Sequence, residues 1–160
     1  MGKGRTPVTA AIRVLRAAGV SWTEHPYRYE EKGGTAVSAR ELGVEEHRVV
    51  KTLVMEDDRK RPLVVLMHGD RQVSTKELAR AIGAKSVSTC SPETAGRHSG
   101  YAVGGTSPFG TRHGMPVYME ETILALPKIY INGGHRGFLV GMSPGDVARI
   151  LSPVLVKVAV

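Results

Sequence analysis

The chain has 160 residues, of which 41% are hydrophobic and 23% charged, and its formal net charge is +7 with a pI near 9.8. This composition excludes a disordered chain and predicts one globular domain with its own hydrophobic core. The positive charge favours an anionic partner such as RNA or a phosphorylated ligand, although a basic surface could equally serve solubility alone.

Other bulk features set the cellular context and the cofactors to expect. The single cysteine, Cys90, excludes a disulfide within the chain and fits a cytoplasmic location, where thiols stay reduced. No apolar run approaches the ~20 residues that a membrane span requires. The six histidines have neither HxxxH nor HxH spacing and no cysteine pair exists, so we expect no metal and no other cofactor. We interpret residues 1–5 as a short basic tail of a single domain over residues 1–160.

The first half of the chain reads as two helices, a strand and a β-hairpin. Thr6 and Pro7, a hydroxyl N-cap followed by proline, begin a helix that ends at Gly19. Its apolar stripe consists of Val8, Ile12, Val14 and Leu15. The next predicted elements are a strand over 20–25, a polar loop over 28–34, a helix over 36–42, and strands over 48–55 and 62–67 that flank a charged turn over 57–61.

The second half alternates short helices and strands. Ser74 caps a third helix that ends before Gly83, and Ser91 with Pro92 begins a fourth. Strands are predicted near 116–119, 128–131 and 137–141, followed by a helix over 143–151 and a strand over 154–158. Several hairpins with interspersed helices predict an α+β domain with a curled mixed sheet.

Glycines are concentrated in two segments. Residues 99–110 read Ser-Gly-Tyr-Ala-Val-Gly-Gly-Thr-Ser-Pro-Phe-Gly, and residues 132–137 read Asn-Gly-Gly-His-Arg-Gly. Because glycine lacks a Cβ, the backbone there can approach a ligand closely. We interpret the two segments as a pocket wall made of main-chain N–H and C=O groups. Two tight turns without a ligand are the alternative.

Lys51 is the residue that least fits its surroundings. It interrupts the strand segment Val-Val-Lys-Thr-Leu-Val over 49–54 and shares a face with Val49 and Leu53. Such a lysine either reaches solvent or points into a cleft that holds an anion, and its apolar neighbours favour the cleft. Further candidate hydrogen-bonding groups are His25, Tyr27, Thr52, Ser107 and Asn132.

Familiar catalytic motifs are missing from the sequence. There is no P-loop, no G-x-G-x-x-G after a strand and no Gly-x-Ser-x-Gly elbow. An ester can still be cleaved without a protein nucleophile if backbone N–H groups stabilise the oxyanion and the attacking group comes from water or the substrate.

Three motifs in this order resemble the YbaK/prolyl-tRNA-synthetase-associated editing domains, especially the free-standing Cys-tRNA(Pro) and related deacylases. They are Val-Lys-Thr-Leu over 50–53, the glycine segment over 99–110, and Gly-Gly-x-Arg-Gly over 133–137. The resemblance runs nearly end to end. It implies an α+β domain with a curled, barrel-like mixed sheet surrounded by helices, and an enzyme that cleaves the ester of mischarged tRNA without a metal.

The resemblance also assigns roles to residues. Lys51 corresponds to the family's essential lysine, placed near the terminal adenosine and its phosphate, and Tyr27 to a tyrosine of the site. Gly104 corresponds to a backbone group that orients the substrate. Thr52 corresponds to a position where threonine is typical of cysteine-clearing members and asparagine of alanine-clearing members. The other residues expected to bind substrate are Gly105, Ser107, Asn132, Gly133 and Gly134.

The expected substrate is therefore Cys-tRNA(Pro), with the substrate thiol itself attacking the ester. The alternatives are a deacylase for another small amino acid, such as alanine, and a non-catalytic module that binds aminoacyl-adenosine or tRNA. The resemblance implies the tRNA acceptor end and prolyl-tRNA synthetase as partners, and no membrane.

Three positions depart from the family pattern. Gly34 stands where an aromatic residue usually precedes the second helix, Asn132 where serine often precedes Gly-Gly, and Leu139 where the cysteine-clearing members have aspartate. All three are expected around the amino-acid pocket, so they bear on substrate identity more than on reaction class.

Overall fold

The structure is a computed structural model, which describes residues 7–160. Its helices are α1 (Ala10–Ala18), α2 (Gly34–Leu42), α3 (Thr75–Ile82), α4 (Pro92–Ser99) and α5 (Pro144–Leu151). Its strands are β1 (Thr23–Pro26), β2 (Val49–Asp57), β3 (Pro62–His68), β4 (Val87–Thr89), β5 (Val117–Glu120), β6 (Ile129–His135), β7 (Phe138–Met142) and β8 (Val154–Val156). The tail predicted over residues 1–5 lies outside the described residues.

The strands form one mixed sheet in the order β1-β7-β6-β2-β3-β5-β8, and β4 pairs with β2. The predicted α+β class and mixed sheet with surrounding helices are confirmed. The sheet of the described residues is not a closed barrel, however, because β1 and β8 remain its edges. β3 is buried on both faces: Val64 and Leu66 belong to a core that includes α1, while Val65 and Met67 belong to a second core that includes α3.

The strand pairing along one edge of β2 is interrupted, and the candidate site lies at this interruption. On that side β2 pairs in parallel with β6 only at Val49 and Val50. It pairs with β4 only from Met55 to Asp57. Between these pairings, residues 51–54 have no neighbouring strand on this side within residues 7–160, whereas on the other side they pair with β3. The sheet therefore opens a gap beside the strand that carries Lys51.

The first helix begins later than predicted. Thr9, not Thr6, is the N-cap, and its hydroxyl accepts a hydrogen bond from the Ile12 N–H at 3.1 Å. Thr9 also donates to the carbonyl oxygen of Gly133, a contact far away in sequence that no local pattern contains. Val8 consequently precedes the helix and is 60% exposed rather than part of the apolar stripe. Thr6 itself lies outside the described residues.

Other elements differ from the prediction mainly at their ends. β1 covers 23–26 rather than 20–25, and α2 begins at Gly34, two residues early. The helices capped by Ser74, Ser91 and Ser143 are confirmed. β4 was not predicted because it has only three residues and depends on pairing with β2. No helix within residues 7–160 is long and apolar enough to cross a membrane.

Candidate functional site

The gap beside β2 borders a cavity of about 770 Å³. Its walls come from β2, the loop before α2 and α2 itself, the region around the start of α4, the glycine segment near 103–106, and the β6–β7 hairpin. This volume is in the range of small-molecule sites. The two sequence regions predicted to form a pocket, the Lys51 strand and the glycine segments, thus meet around one cavity.

Lys51 lines this cavity and is partly buried. Its ammonium group makes no hydrogen bond and no ion pair with any residue of the described range. Burial lowers the pKa of its ammonium group, while the carboxylates of Glu46 and Asp70 act in the opposite direction. A cation that is partly removed from water and lacks a close partner is suited to bind an anionic or strongly polar ligand group.

Thr52 brings unused hydrogen-bonding groups to the same cavity. Its hydroxyl oxygen is buried and has no hydrogen-bond partner among residues 7–160. The backbone carbonyl of Val49 accepts from Gly69 on the β3 side, at 2.6 Å, whereas that of Val54 accepts from Cys90 on the opposite side, at 3.2 Å. Because backbone groups alternate in direction along a strand, the N–H and C=O of Thr52 face the gap.

Gly104 and Asn132 connect the two glycine segments at the cavity wall. Gly104 has φ +88°, and a Cβ there would lie 2.5 Å from the hydroxyl oxygen of Tyr29. The Asn132 side chain donates from Nδ2 to the Gly104 carbonyl at 3.1 Å. Its Oδ1 accepts from the N–H groups of Gly134 and His135, at 2.7 and 3.1 Å. One amide side chain therefore fixes both segments.

The other residues expected to bind substrate do not line the cavity. A Cβ on Gly105 would lie 2.8 Å from the backbone nitrogen of Arg136, and one on Gly133 would lie 2.5 Å from the Phe138 ring. Gly134 has φ +95° and packs on Tyr101. Ser107 is fully buried and accepts from the Phe109 N–H at 3.1 Å. The contacts of these four residues shape the loops behind the wall. His25, a further candidate, contacts Thr23 and Tyr130 outside the lining.

Tyr27 does line the cavity, beside a second aromatic residue that the sequence analysis missed. Burial and the neighbouring Tyr29 raise the pKa of the Tyr27 phenol, which keeps it a neutral hydrogen-bond donor at physiological pH. Tyr29 also contacts Arg136, whose guanidinium carbon lies 5.2 Å from the ring centre. The Gly-Gly-x-Arg-Gly motif contains Arg136, but nothing local indicated that its side chain meets Tyr29.

All three departures from the family pattern line the cavity: Asn132, described above, and also Leu139 and Gly34. Leu139 is 4% exposed and packs with Val49 and Ala39, so this part of the wall is apolar. Gly34, with φ +60°, is the first residue of α2. It leaves its position without a side chain, and the nearby aromatic side chains come from Tyr27 and Tyr29 instead.

Cys90 is the only thiol at the cavity. Burial and the charge of Glu56 raise its pKa to about 11, so it is a protonated thiol rather than a nucleophilic thiolate. No group of three or more His, Cys, Asp or Glu side chains in residues 7–160 is arranged to hold a metal ion. The cavity thus offers a cation, hydrogen-bonding groups of the backbone and apolar walls.

Comparisons with known proteins bear on the family and the fold of this chain. Residues 30–150 match the model of the aminoacyl-tRNA editing domain. The chain is 31% identical over 143 residues to EbsC of Enterococcus faecalis, which its name describes as a candidate Cys-tRNA(Pro)/Cys-tRNA(Cys) deacylase; the match covers 89% of this chain and 87% of EbsC.

A further match is to a proline–tRNA ligase of Nitratidesulfovibrio vulgaris, 31% identical over 105 residues, or 66% of this chain and 17% of the ligase. Among solved structures, a candidate trans-editing enzyme for prolyl-tRNA synthetase superimposes with a TM-score of 0.81 at 22% identity, covering 97% of this chain and 99% of that one. This last similarity is one of fold.

Proposed function

Because this chain belongs to the aminoacyl-tRNA editing family of YbaK type, we propose that it is a free-standing deacylase that clears Cys-tRNA(Pro) by substrate-assisted chemistry. The observation that carries the proposal is that one cavity without a reactive nucleophile is lined by Lys51, whose ammonium has no partner, and by Thr52, whose N–H faces the gap and whose buried hydroxyl has no partner among residues 7–160. The volume of about 770 Å³ suits an aminoacyl-adenosine.

In this proposal the side chains bind and orient the substrate, and the substrate supplies the attacking atom. The cysteinyl thiol loses its proton, and its sulfur attacks the ester carbonyl carbon. The bond between that carbon and the ribose oxygen breaks, and the ribose oxygen takes up a proton. The products are a cyclic thiolactone and uncharged tRNA. Lys51 contacts the adenosine end, and the Thr52 N–H donates to the developing oxyanion.

Gly104 and Tyr27 complete the proposed site. The N–H of Gly104 has no hydrogen-bond partner among the described residues, and it lines the same cavity. It offers a second backbone donor for the ester carbonyl. The neutral phenol of Tyr27 offers a hydrogen bond to a ribose or amino-acid group, because its raised pKa disfavours the phenolate. Loss of one backbone donor to the oxyanion, such as the Gly104 N–H, is expected to lower the rate by about 10²–10³.

A second candidate substrate is an aminoacyl-tRNA with a small apolar side chain, such as alanine. The apolar wall formed by Leu139 and Val49 favours it. Alanine has no thiol, so its release would require an attacking water. The two candidates therefore differ in the chemistry of the first step as well as in the amino acid.

Release of radiolabelled amino acid from Cys-, Ser- and Ala-tRNA tests the proposal. We expect Cys to be released much faster than Ser, because a thiol with pKa near 8.5 is a few per cent thiolate at neutral pH whereas a hydroxyl is scarcely ionised. Equal rates for Cys and Ser, or fastest release of Ala, would exclude the substrate-assisted mechanism. No release from any charged tRNA would exclude the deacylase.

Two Lys51 variants link this activity to the site. We expect Lys51→Ala to lower kcat/KM by about 10- to 150-fold, the range for one charge-assisted hydrogen bond. Lys51→Met keeps the apolar stem, so it separates the loss of charge from the loss of packing. Turnover by either variant at the wild-type rate would show that the cation is dispensable.

We further propose that the protein acts in the cytoplasm on the tRNA acceptor end, alongside prolyl-tRNA synthetase. The match to a segment of a proline–tRNA ligase supports this partner, since the ligase there carries the related segment within its own chain. The net charge of +7 supports the affinity for RNA.

A further inference from the structure

Two side chains, of Arg136 and Tyr29, and the backbone carbonyl of Val103 meet at the rim of the cavity without a role in the proposed chemistry. The Arg136 guanidinium carbon lies 5.2 Å from the centre of the Tyr29 ring. The Arg136 Nε donates to the backbone carbonyl of Val103 at 2.7 Å. Val103 is 46% exposed although it is apolar, and all three residues line the cavity. The Arg136–Tyr29–Val103 cluster therefore joins three different loops at one edge of the mouth.

The cluster presents the guanidinium in a fixed orientation. The bond from Nε and the contact with the Tyr29 face hold one side of the group. The two terminal nitrogens of Arg136 make no hydrogen bond or ion pair with residues 7–160, and the residue is exposed. A planar guanidinium presented in this way matches the geometry of a phosphate group. Tyr29 is held by its close packing on Gly104.

We propose that this cluster binds the nucleotide that precedes the terminal adenosine in the single-stranded 3′ end of the tRNA. The inference rests on the function proposed above. The cavity has room for one aminoacyl-nucleoside, so the rest of the strand must leave across the rim. Arg136 binds the phosphate that links the last two nucleotides, and the base of the preceding nucleotide packs on Tyr29 and Val103. Aromatic and arginine side chains at an exposed edge are typical of single-strand recognition.

Other charged side chains also line the cavity. Glu30, Glu31 and Lys32 follow Tyr29 in the loop that leads to α2. Glu30 has a partner in Arg40, 3.8 Å away, but both side chains are largely exposed, so this ion pair is weak. The two carboxylates repel a phosphate, and Lys32 offsets part of that repulsion. The phosphate is therefore expected to lie against Arg136 and not against Glu30 and Glu31.

Binding of uncharged RNA tests the inference independently of deacylation. The probe is a 5′-fluorescein RNA hairpin that ends in single-stranded CCA, and its control is the same hairpin without the tail. Fluorescence anisotropy gives the affinity of each at several salt concentrations. We expect Arg136→Gln to weaken binding of the tailed hairpin by about tenfold or more. It should also reduce the slope of log K against log salt by about 0.7, the value for one single-strand phosphate.

Matched variants separate the cluster from general surface charge. Arg80→Gln removes another exposed arginine, which lies on α3 outside the cavity lining and contacts Glu77. It should affect the tailed and blunt hairpins alike. Tyr29→Ala should weaken binding of the tailed hairpin by about fivefold or more, while Tyr29→Phe should retain it, because stacking needs the ring and not the hydroxyl.

The outcomes decide the inference and the proposed function separately. If Arg136→Gln weakens both hairpins equally, or neither, the cluster does not bind the single-stranded end. If wild-type protein releases no amino acid from any charged tRNA, the proposed function fails, while the uncharged hairpins still report on the cluster. A preference of wild-type protein for the tailed hairpin that Arg136→Gln abolishes supports the inference.

Discussion

The side-chain amide of Asn132 donates a hydrogen bond to the carbonyl oxygen of Gly104 across 3.1 Å. The two residues are 28 positions apart, one in β6 and the other in the first glycine segment. Because Oδ1 of the same amide accepts two backbone N–H groups of the second segment, Asn132 sets how the two segments face the cavity. The polar residue before Gly-Gly thus determines the backbone geometry at Gly104.

We expect Asn132→Asp to lower deacylation by about tenfold or more. Aspartate keeps the oxygen that accepts from Gly134 and His135, but its second oxygen faces the Gly104 carbonyl and repels it, where the amide donated a hydrogen bond. Radiolabelled release from charged tRNA measures the effect. Asn132→Ser serves as the control, since it loses the Gly104 contact without adding a charge, and should be less impaired. Asn132→Asp with the wild-type rate would mean that this contact does not position the wall.

The elements that the sequence predicted well are those whose signals are local. Ser74, Ser91 and Ser143 cap the helices that follow them, and the strand segment around Lys51 has its own apolar pattern. The features that it missed depend on distant contacts. The Thr9 cap is tied to Gly133, and the three-residue β4 exists because β2 has an open edge at Met55–Asp57.

The residues of the candidate site also divide into those with a local sequence signal and those that depend on distant contacts. Glycine composition indicated a wall close to a ligand, and Gly104 does line the cavity. The same composition could not distinguish Gly133, where a Cβ would collide with the Phe138 ring. The contact between Tyr29 and Arg136 could not be predicted, because it joins two loops that are far apart in sequence. Whether a glycine is required by close packing or by access for a ligand can be decided only when its neighbours in space are known.

Cys90 should be dispensable for activity. Its pKa of about 11 leaves roughly a thousandth of the thiol ionised at pH 8, too little for an efficient nucleophile. We expect Cys90→Ser to retain deacylation within about twofold, and iodoacetamide to alkylate the native thiol far more slowly than free cysteine. Mass spectrometry follows the alkylation, and the unfolded protein gives the control rate. Rapid alkylation together with loss of activity would assign the chemistry to the protein thiol.

The pH dependence of deacylation should respond to Glu46. A carboxylate near Lys51 stabilises the ammonium form and raises its pKa, whereas burial lowers it. Removing the charge of Glu46 therefore lowers the Lys51 pKa further, and the alkaline limb of the kcat/KM profile should move to lower pH. Glu46→Gln is a suitable change, because Gln still offers an oxygen to the Thr35 hydroxyl, which lies 2.7 Å from Glu46.

Glu45→Gln is the matched control for this shift. It removes one negative charge from the neighbouring residue, which is exposed and contacts Arg48 instead of influencing Lys51. The enzyme-dependent rates are measured between pH 7 and 10 after subtraction of spontaneous ester hydrolysis. If the alkaline limb moves to higher pH in Glu46→Gln, or moves equally in both variants, it does not report the ionisation of the Lys51 ammonium.

Thr52 should show opposite effects on stability and activity. Its hydroxyl is buried without a partner among residues 7–160, which costs about 1–3 kcal/mol of folding free energy. Thr52→Val replaces that hydroxyl with a methyl group of similar shape. We expect the free energy of unfolding to rise by about 1 kcal/mol or more, which corresponds to about 2–4 °C in Tm for a domain of this size.

The same change should lower deacylation if the wall adjusts on binding so that the buried hydroxyl contacts the substrate, because the valine variant cannot form that hydrogen bond. Thr52→Ser is the control: it retains the hydroxyl, and we expect it to keep more of the activity than the valine variant does. Urea unfolding and charged-tRNA turnover measure the two effects on the same samples. A Thr52→Val variant that gains no stability would show that the hydroxyl has a partner in solution. One that gains stability and keeps full turnover would show that the orphan hydroxyl is a packing defect and not a binding group, leaving the backbone N–H of Thr52 to contact the ester.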